Sequence, residues 1–279
     1  AYQVRSVAKD EWDHVSDWSN TLSVCIDGPS APPEIDCPPH LTIECDESTD
    51  PSNTGVGTAV DNCDPDPLID FSDSLAAGAC PQESVITRTW TATDDFGYES
   101  SSPQMITIVD STAPVLTCSV STDLLWSPDH HLADVGLTTT VSDNCDPTGA
   151  AESLVVEVWS DETEVPDTGD GTGRHAPDAK DIDTSLRLRS ERRGSEDGRV
   201  YLIIGRAEDG CENVGFGCCT VVVPHDQSKA ALDEVAAQAE AVLALVASTP
   251  GTTIAEKVAP LISQGWTQHG VSEQLGPHQ

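Results

Sequence analysis

The chain repeats itself, and that repetition constrains its fold more than any other feature. "TAVDNCDP" at 58–65 returns as "TTVSDNCDP" at 139–147, which makes Asp61 and Asp143 equivalent. "PPEIDC", ending at Cys37, returns as "APVLTC", ending at Cys118. "TDDFG" at 93–97 matches "EDGCE" at 208–212, so Asp94 corresponds to Asp209 and Phe96 stands where the second copy has Cys211. Three matches in the same order define a tandem duplication, with a long acidic insertion in the second copy at about 160–194.

Charge removes several classes of function. There are 48 acidic against 13 basic residues, a net charge of −35, and no basic patch outweighs such a field to bind nucleic acid. Leu, Ile, Val and Phe supply 59 of the 279 residues, enough for two thin β-type cores rather than one thick one. The most apolar stretch, Val235 to Ala247, contains Gln238 and Glu240 and is too short for the roughly 20 residues of a membrane span. Ten cysteines without a CxxC pair point to an oxidising compartment rather than to zinc. The numbering opens at Ala1 and the one methionine is Met105, which fits a late start or a mature secreted chain; the cysteines make secretion the expectation.

Each copy has the period of β-structure. Apolar alternation runs through "LTIEC" (Leu41, Ile43, Cys45), "VITRTWTA" (Ile86, Trp90, Ala92) and "MITIV", and in the second copy through "LVVEV" (Leu154, Val156, Val158) and "VYLII". Asp/Asn/Pro/Gly clusters between them mark turns. The motifs Pro-x-Ile-x-Cys, "LTIECD", "TAVDNCD", "RTWTATD" and "ITIVDSTAPVLTC" resemble hyalin-type (HYR) repeats and related Ig-like modules of secreted bacterial surface proteins, over about 33–225. The resemblance implies a mainly β protein of two tandem Ig-like antiparallel sandwiches, over 33–111 and 112–225. It implies spacer or adhesive roles rather than a specific activity.

The flanks have no repeat equivalent. Residues 1–32 form an extension that opens with "AYQVRSV". After Pro224 the period changes: Leu232, Val235, Ala239, Val242 and Val246 make one helical stripe, Pro250-Gly251 breaks it, and Thr253 with Glu256 is a capping box for a second helix. The expectation for 226–279 is a short helical hairpin, packed on the second sandwich or offered to a partner.

Catalysis has little support. HExxH, GxSxG and a Gly-rich phosphate loop are absent, "SVAK" at 6–9 lacks companion motifs, and His130 and His131 are adjacent, a spacing that turns side chains to opposite faces of a strand. Carboxylates are more suggestive. In an Ig-like sandwich the second-to-third-strand loop and the last hairpin loop share a pole. That arrangement brings Asp61 and Asp64 toward Asp94 and Asp95, and Asp143 and Asp146 toward Glu208 and Asp209, near the linker residue Asp110. Such a pole either holds calcium, which takes six to eight oxygens, or is a solvated rim whose Asp and Asn serve turn geometry. The insertion (Asp161, Asp167, Asp170, Asp181, Asp183) is a second calcium candidate or a plain acidic loop. The same placement of loops pairs Cys145 with Cys211. Cys63 then needs Cys80 or Cys45, and Cys118 needs whichever of Cys218 and Cys219 points inward. With five cysteines in each half, complete oxidation requires a bridge between halves or between chains.

These features suit a secreted, non-enzymatic structural subunit that self-assembles head-to-tail into an extracellular filament or pilus-like fibre. Tyr2, Val4, Arg5 and Val7 of the N-terminal arm would be donated as a strand to a neighbour's open sheet edge, unless the arm folds back on its own chain. The alternative is a calcium-dependent adhesive module that binds a surface glycan or protein.

Overall fold

The computed structural model describes residues 2–4, 22–24, 31–163, 176–192 and 197–272. The chain divides into two compact units, Ala1–Asp110 and Ser111–Gln279, and both are mainly β.

In the first unit β1 (Tyr2–Val4) pairs antiparallel with β2 (Leu22–Val24). The short strands β3 (Glu34–Asp36) and β5 (Thr58–Val60) form a second ribbon, separated in sequence by β4 (Leu41–Glu44) and the single turn α1 (Pro51–Thr54). The main sheet runs β4, β8 (Glu99–Val109), β7 (Ser84–Thr93), β6 (Leu68–Ala77), with β4 parallel to β8 and the remaining pairs antiparallel. Alternation in β7 is strict: Ile86, Arg88, Trp90 and Ala92 are buried. The apolar cluster is small, Ile43, Ile86 and Ile106, and a polar centre extends it. Arg88, 2% exposed, donates to both oxygens of Asp73, to Thr54 Oγ1 and to the Thr49 carbonyl. Trp90 Nε1 donates to Gln104 Oε1, and Gln104 Nε2 donates to the Thr54 carbonyl. Arg88 lies on the same face as the expected core residues and is a buried charge that the apolar pattern does not reveal.

The second unit has three layers. β9 (Val115–Val120) pairs with β11 (Leu137–Ser142), and β10 (Leu132–Asp134), β14 (Arg187–Arg189) and β13 (Ala179–Lys180) form a small sheet. α2 (Pro147–Glu152) leads into β12 (Val155–Ser160). The principal sheet is ordered β16 (Val214–Pro224), β15 (Gly198–Glu208), β12, β17 (Thr267–Val271), and two helices, α3 (Lys229–Ser248) and α4 (Ile254–Ile262), precede β17 in sequence. One face of that sheet packs Tyr201, Ile203, Val221 and Val223 against Leu116, Leu125 and Val135. The other packs Val200, Leu202, Ile204 and Trp159 against Val235, Val242, Val246, Val258 and Leu261 of the helices. "VYLII" is therefore not a half-exposed alternating strand: its residues are buried on both faces, because the helices cover the side that a simple sandwich leaves wet. The capping box at Thr253 and Glu256 is present, but the chain after α4 returns to the sheet as β17, so 226–279 is not wholly helical.

β16 lies close to the chain around Pro114. A Cβ added at Gly215 would stand 1.8 Å from the Pro114 carbonyl oxygen, and one at Gly217 2.2 Å from Leu116. Cys118 and Cys219 join in a disulfide. Cys219 faces the β-side core while Cys218 packs toward the helices as a free thiol, the opposite-face arrangement expected of neighbours on a strand.

Candidate functional site

Asp-rich turns repeat their geometry from one unit to the other. In the first, Asp61 Oδ1 accepts the Cys63 and Asp64 N–H groups at 2.7 Å each. Asp64 accepts Asp66 N–H on Oδ1 and, from the final hairpin loop, Asp95 N–H on Oδ2 at 3.1 Å. Asp94 Oδ1 accepts from Phe96 and Tyr98. In the second unit Asp143 Oδ1 accepts the Cys145 and Asp146 N–H groups at 2.9 and 2.6 Å. Asp146 accepts Gly149 N–H on Oδ1 and Gly210 N–H on Oδ2, both at 3.0 Å. Asp209 Oδ1 accepts from Cys211 and Asn213. The hairpin loops share a left-handed residue at equivalent places, Gly97 at φ 85° and Glu212 at φ 67°. Asx turns of this kind explain why the sequence spends Asp here.

Turn geometry accounts for one oxygen of Asp61 and Asp143, and only one. Oδ2 of each is buried and has no hydrogen-bond partner among the described residues. An ionised carboxylate oxygen out of water and unpaired is costly unless a cation meets it. In the second unit the problem is compounded, because carboxylate oxygens of Asp143 and Asp209 lie within 4.8 Å of one another. Oxygen donors only, two of them formally charged, are the donor set of a hard cation such as calcium. The residues present fit that ion in the second unit, where Asp143 and Asp209 converge; in the first, Asp61 repeats the orphaned oxygen of Asp143.

The remaining carboxylates have other roles. Asp64 and Asp146 spend Oδ1 on their own turn and Oδ2 on the hairpin loop, so both oxygens are used. Asp95 is exposed and contributes its backbone N–H. Glu208 pairs with Arg206, and Asp110 is buried at the end of the first unit. In the insertion, Asp181 pairs with Arg187, Asp183 is exposed, and Asp167 and Asp170 lie outside the described residues. Beside the second pole is a polar cleft of about 350 Å³ lined by Asp146, Ser153, Arg206, Glu208 and Asp209.

Cys145 and Cys211 are each disulfide-bonded, as are Cys45, Cys63 and Cys80. Cys37 and Cys218 are free thiols, so the oxidation is not complete and the argument from odd counts loses its premise. Tyr2 and Val4 lie in β1 and pair with Val24 and Leu22 of the same chain; Arg5 and Val7 fall outside the described residues. His130 sits before β10, not in a strand, with Nδ1 3.0 Å from Glu191.

One constellation escaped the sequence reading. Arg199, 3% exposed, donates to Glu162 through Nε and Nη2 (3.2 and 3.1 Å), to Asp178 at 2.9 Å and to the Tyr201 hydroxyl at 2.7 Å. Burial opposes the Arg199 charge, yet Tyr201, Asp178 and Glu162 together hold the guanidinium above its ordinary range. Ser160 Oγ lies 2.8 Å from His269 Nε2, and His269 Nδ1 lies 3.7 Å from Asp178. The order Ser–His–Asp invites a hydrolase reading, but all three are sealed at 0–2% exposure and the serine hydroxyl donates to the Glu162 carbonyl. A nucleophile must reach substrate, so this cluster is structural. No spacing signal could have found it, since its members come from four separate segments.

No protein-family model matches the chain, and no curated protein matches it. Among solved structures it is similar to PcdhgB3 EC1-4 (13% identity, 69% of this chain and 50% of that one, TM-score 0.31). It is also similar to human protocadherin-24 EC1-2 (13%, 70% and 98%, 0.27) and to Drosophila N-cadherin EC1-4 (13%, 69% and 49%, 0.30). The chain spans half the length of the first of these.

Proposed function

We propose that the chain is a secreted, non-enzymatic structural and adhesive module, built from two HYR-like, Ig-like units whose loop poles each bind calcium. The observation that carries this reading is the repeated orphan: Asp61 and Asp143, at equivalent positions, each leave Oδ2 buried and unpartnered among the described residues while Oδ1 holds the turn. Desolvating a carboxylate twice at the same place in a duplicated fold is explained by a ligand and not by turn chemistry. Several disulfides support an extracellular setting, and no helix is long and apolar enough to cross a membrane among the described residues. Bound calcium would neutralise the poles and stiffen the loops; the protein's own part is to present preset oxygens.

Calorimetric titration with calcium, in parallel with thermal melts, tests the proposal. Calcium is expected to raise the melting temperature, magnesium at equal ionic strength much less, and the double variant Asp61→Asn/Asp143→Asn neither. Asparagine keeps the Oδ1 acceptor and removes the charge. An undiminished calcium response in that variant would overturn the assignment.

A further inference from the structure

The geometry points to an isologous dimer formed by antiparallel pairing of β6 with β6 of a second copy, centred on Ser72. β6 is ten residues long and is the last strand of its sheet, so one edge is open among the described residues. Its ladder position shows which groups that edge presents. Asp94 N–H bonds to the Tyr98 carbonyl, so even-numbered residues of β7 bond to β8 and odd-numbered ones bond to β6. Gly78 N–H donates to the Glu83 carbonyl, which fixes the same phase from the other end of the hairpin. Even-numbered residues of β6 are therefore satisfied by β7, and Ile69, Phe71, Asp73 and Leu75 turn N–H and C=O outward. The Asp70 carboxylate caps the outward Phe71 N–H at 2.8 Å, a bond that a partner strand's carbonyl replaces.

The face that continues the core is also uncovered at this edge. Leu75, opposite Ile86, is 73% exposed, and Phe71, packed against Trp90 and Arg88, is 40% exposed. Natural open edges are usually short or guarded.

An antiparallel strand edge is its own complement under a two-fold axis, and charge selects the register. A two-fold axis normal to the sheet keeps each face in place, so even residues meet even ones and odd meet odd. Two registers retain the longest overlap. One sets Asp73 directly against Asp73, which is repulsive. The other, centred on Ser72, sets Asp70 against Ser74, Phe71 against Asp73 and Ile69 against Leu75, with no like charges opposed. Asp73 arrives already neutralised, since Arg88 holds both its oxygens. Parallel in-register pairing would oppose both aspartates. At two bonds per hydrogen-bonded pair, the Ser72 register makes roughly eight inter-strand hydrogen bonds and turns two four-stranded sheets into one of eight. Such a contact is closed, in contrast to head-to-tail strand donation.

Sedimentation of the full chain in EDTA tests this apart from any calcium effect. A reversible monomer–dimer equilibrium is expected, and Ser72→Lys, at an exposed residue, should weaken it roughly tenfold or more by opposing two cations at the axis. Ser72→Cys should cross-link to itself under mild oxidation, because directly opposed residues of a non-hydrogen-bonded pair are within disulfide reach. Asp70→Cys, opposed by Ser74, should not. A wild-type chain that stays monomeric, a dimer indifferent to Ser72→Lys, or equal cross-linking by the two cysteine variants would each overturn the assignment.

Discussion

Replacing Arg199 by methionine tests whether the buried ionic cluster is the clamp between the insertion and the principal sheet. Arg199 projects from β15, Glu162 follows β12, and Asp178 precedes β13 within the insertion. The substitution preserves most of the aliphatic volume and leaves two carboxylates, 1% and 2% exposed, without their main counter-charge. Removing one partner of a buried pair costs about 3–5 kcal/mol. Arg189, 3.5 Å from Asp178, compensates one of the two acids in part, which keeps the expectation within that range rather than above it. For a unit of this size each kcal/mol lowers the melting temperature by about 2–4 °C, so a fall of about 6–20 °C is expected. Urea unfolding followed by tryptophan fluorescence is the assay, since Trp159 and Trp266 both lie in the helix-side core of this unit. Arg199→Met combined with Glu162→Leu should recover part of the loss, because replacing both partners by apolar groups restores a matched interior. A loss below about 1 kcal/mol, the value of an exposed pair, would refute the reasoning.

Burial raises the Asp161 carboxyl from 3.8 to about 6, so between about pH 4 and pH 6 the native state retains a proton that the unfolded chain has released. Stability therefore falls as pH rises through that window, and Asp161→Asn, which keeps the acceptor for Val200 N–H, should flatten the profile and add up to about 3 kcal/mol at pH 7. Converting Cys118 and Cys219 together to alanine opens a crosslink of sequence separation 101 and should cost about 2–5 kcal/mol by chemical denaturation. Gly215→Ala should destabilise the second unit by about 1–3 kcal/mol in the same assay, because its methyl meets the Pro114 carbonyl.

Local chemistry was legible wherever the sequence itself carries the pattern. The repeat located both Asp turns, because Asx geometry is set within four residues, and the Thr253–Glu256 box and the stripe from Val235 to Val246 announced the helices. What stayed hidden depends on neighbours far away in sequence. β15 looked half-exposed because nothing in "VYLII" says that helices will cover its second face. β17 was missed because "TQHGV" is short and polar, and it becomes a strand only through the edge of β12. Nothing local marks Arg88 and Arg199 as buried charges, because their partners are drawn from several distant segments. The orphan oxygens of Asp61 and Asp143 need coordinates: the sequence marks the aspartates but cannot say which lone pairs are spent.

The position of β17 has a consequence for how the chain reaches its native state. β12 obtains its second neighbour only when Thr267–Val271 arrives, after the insertion, two long strands and both helices have been made. During vectorial emergence from a ribosome or a translocation pore, β12 therefore waits with one edge bare. Closing so distant a contact is entropically slow, and an apolar strand exposed meanwhile invites mispairing. Nascent chains halted before residue 267 should consequently be captured by holdase chaperones or degraded, while chains released past residue 271 become protease-resistant in one late step.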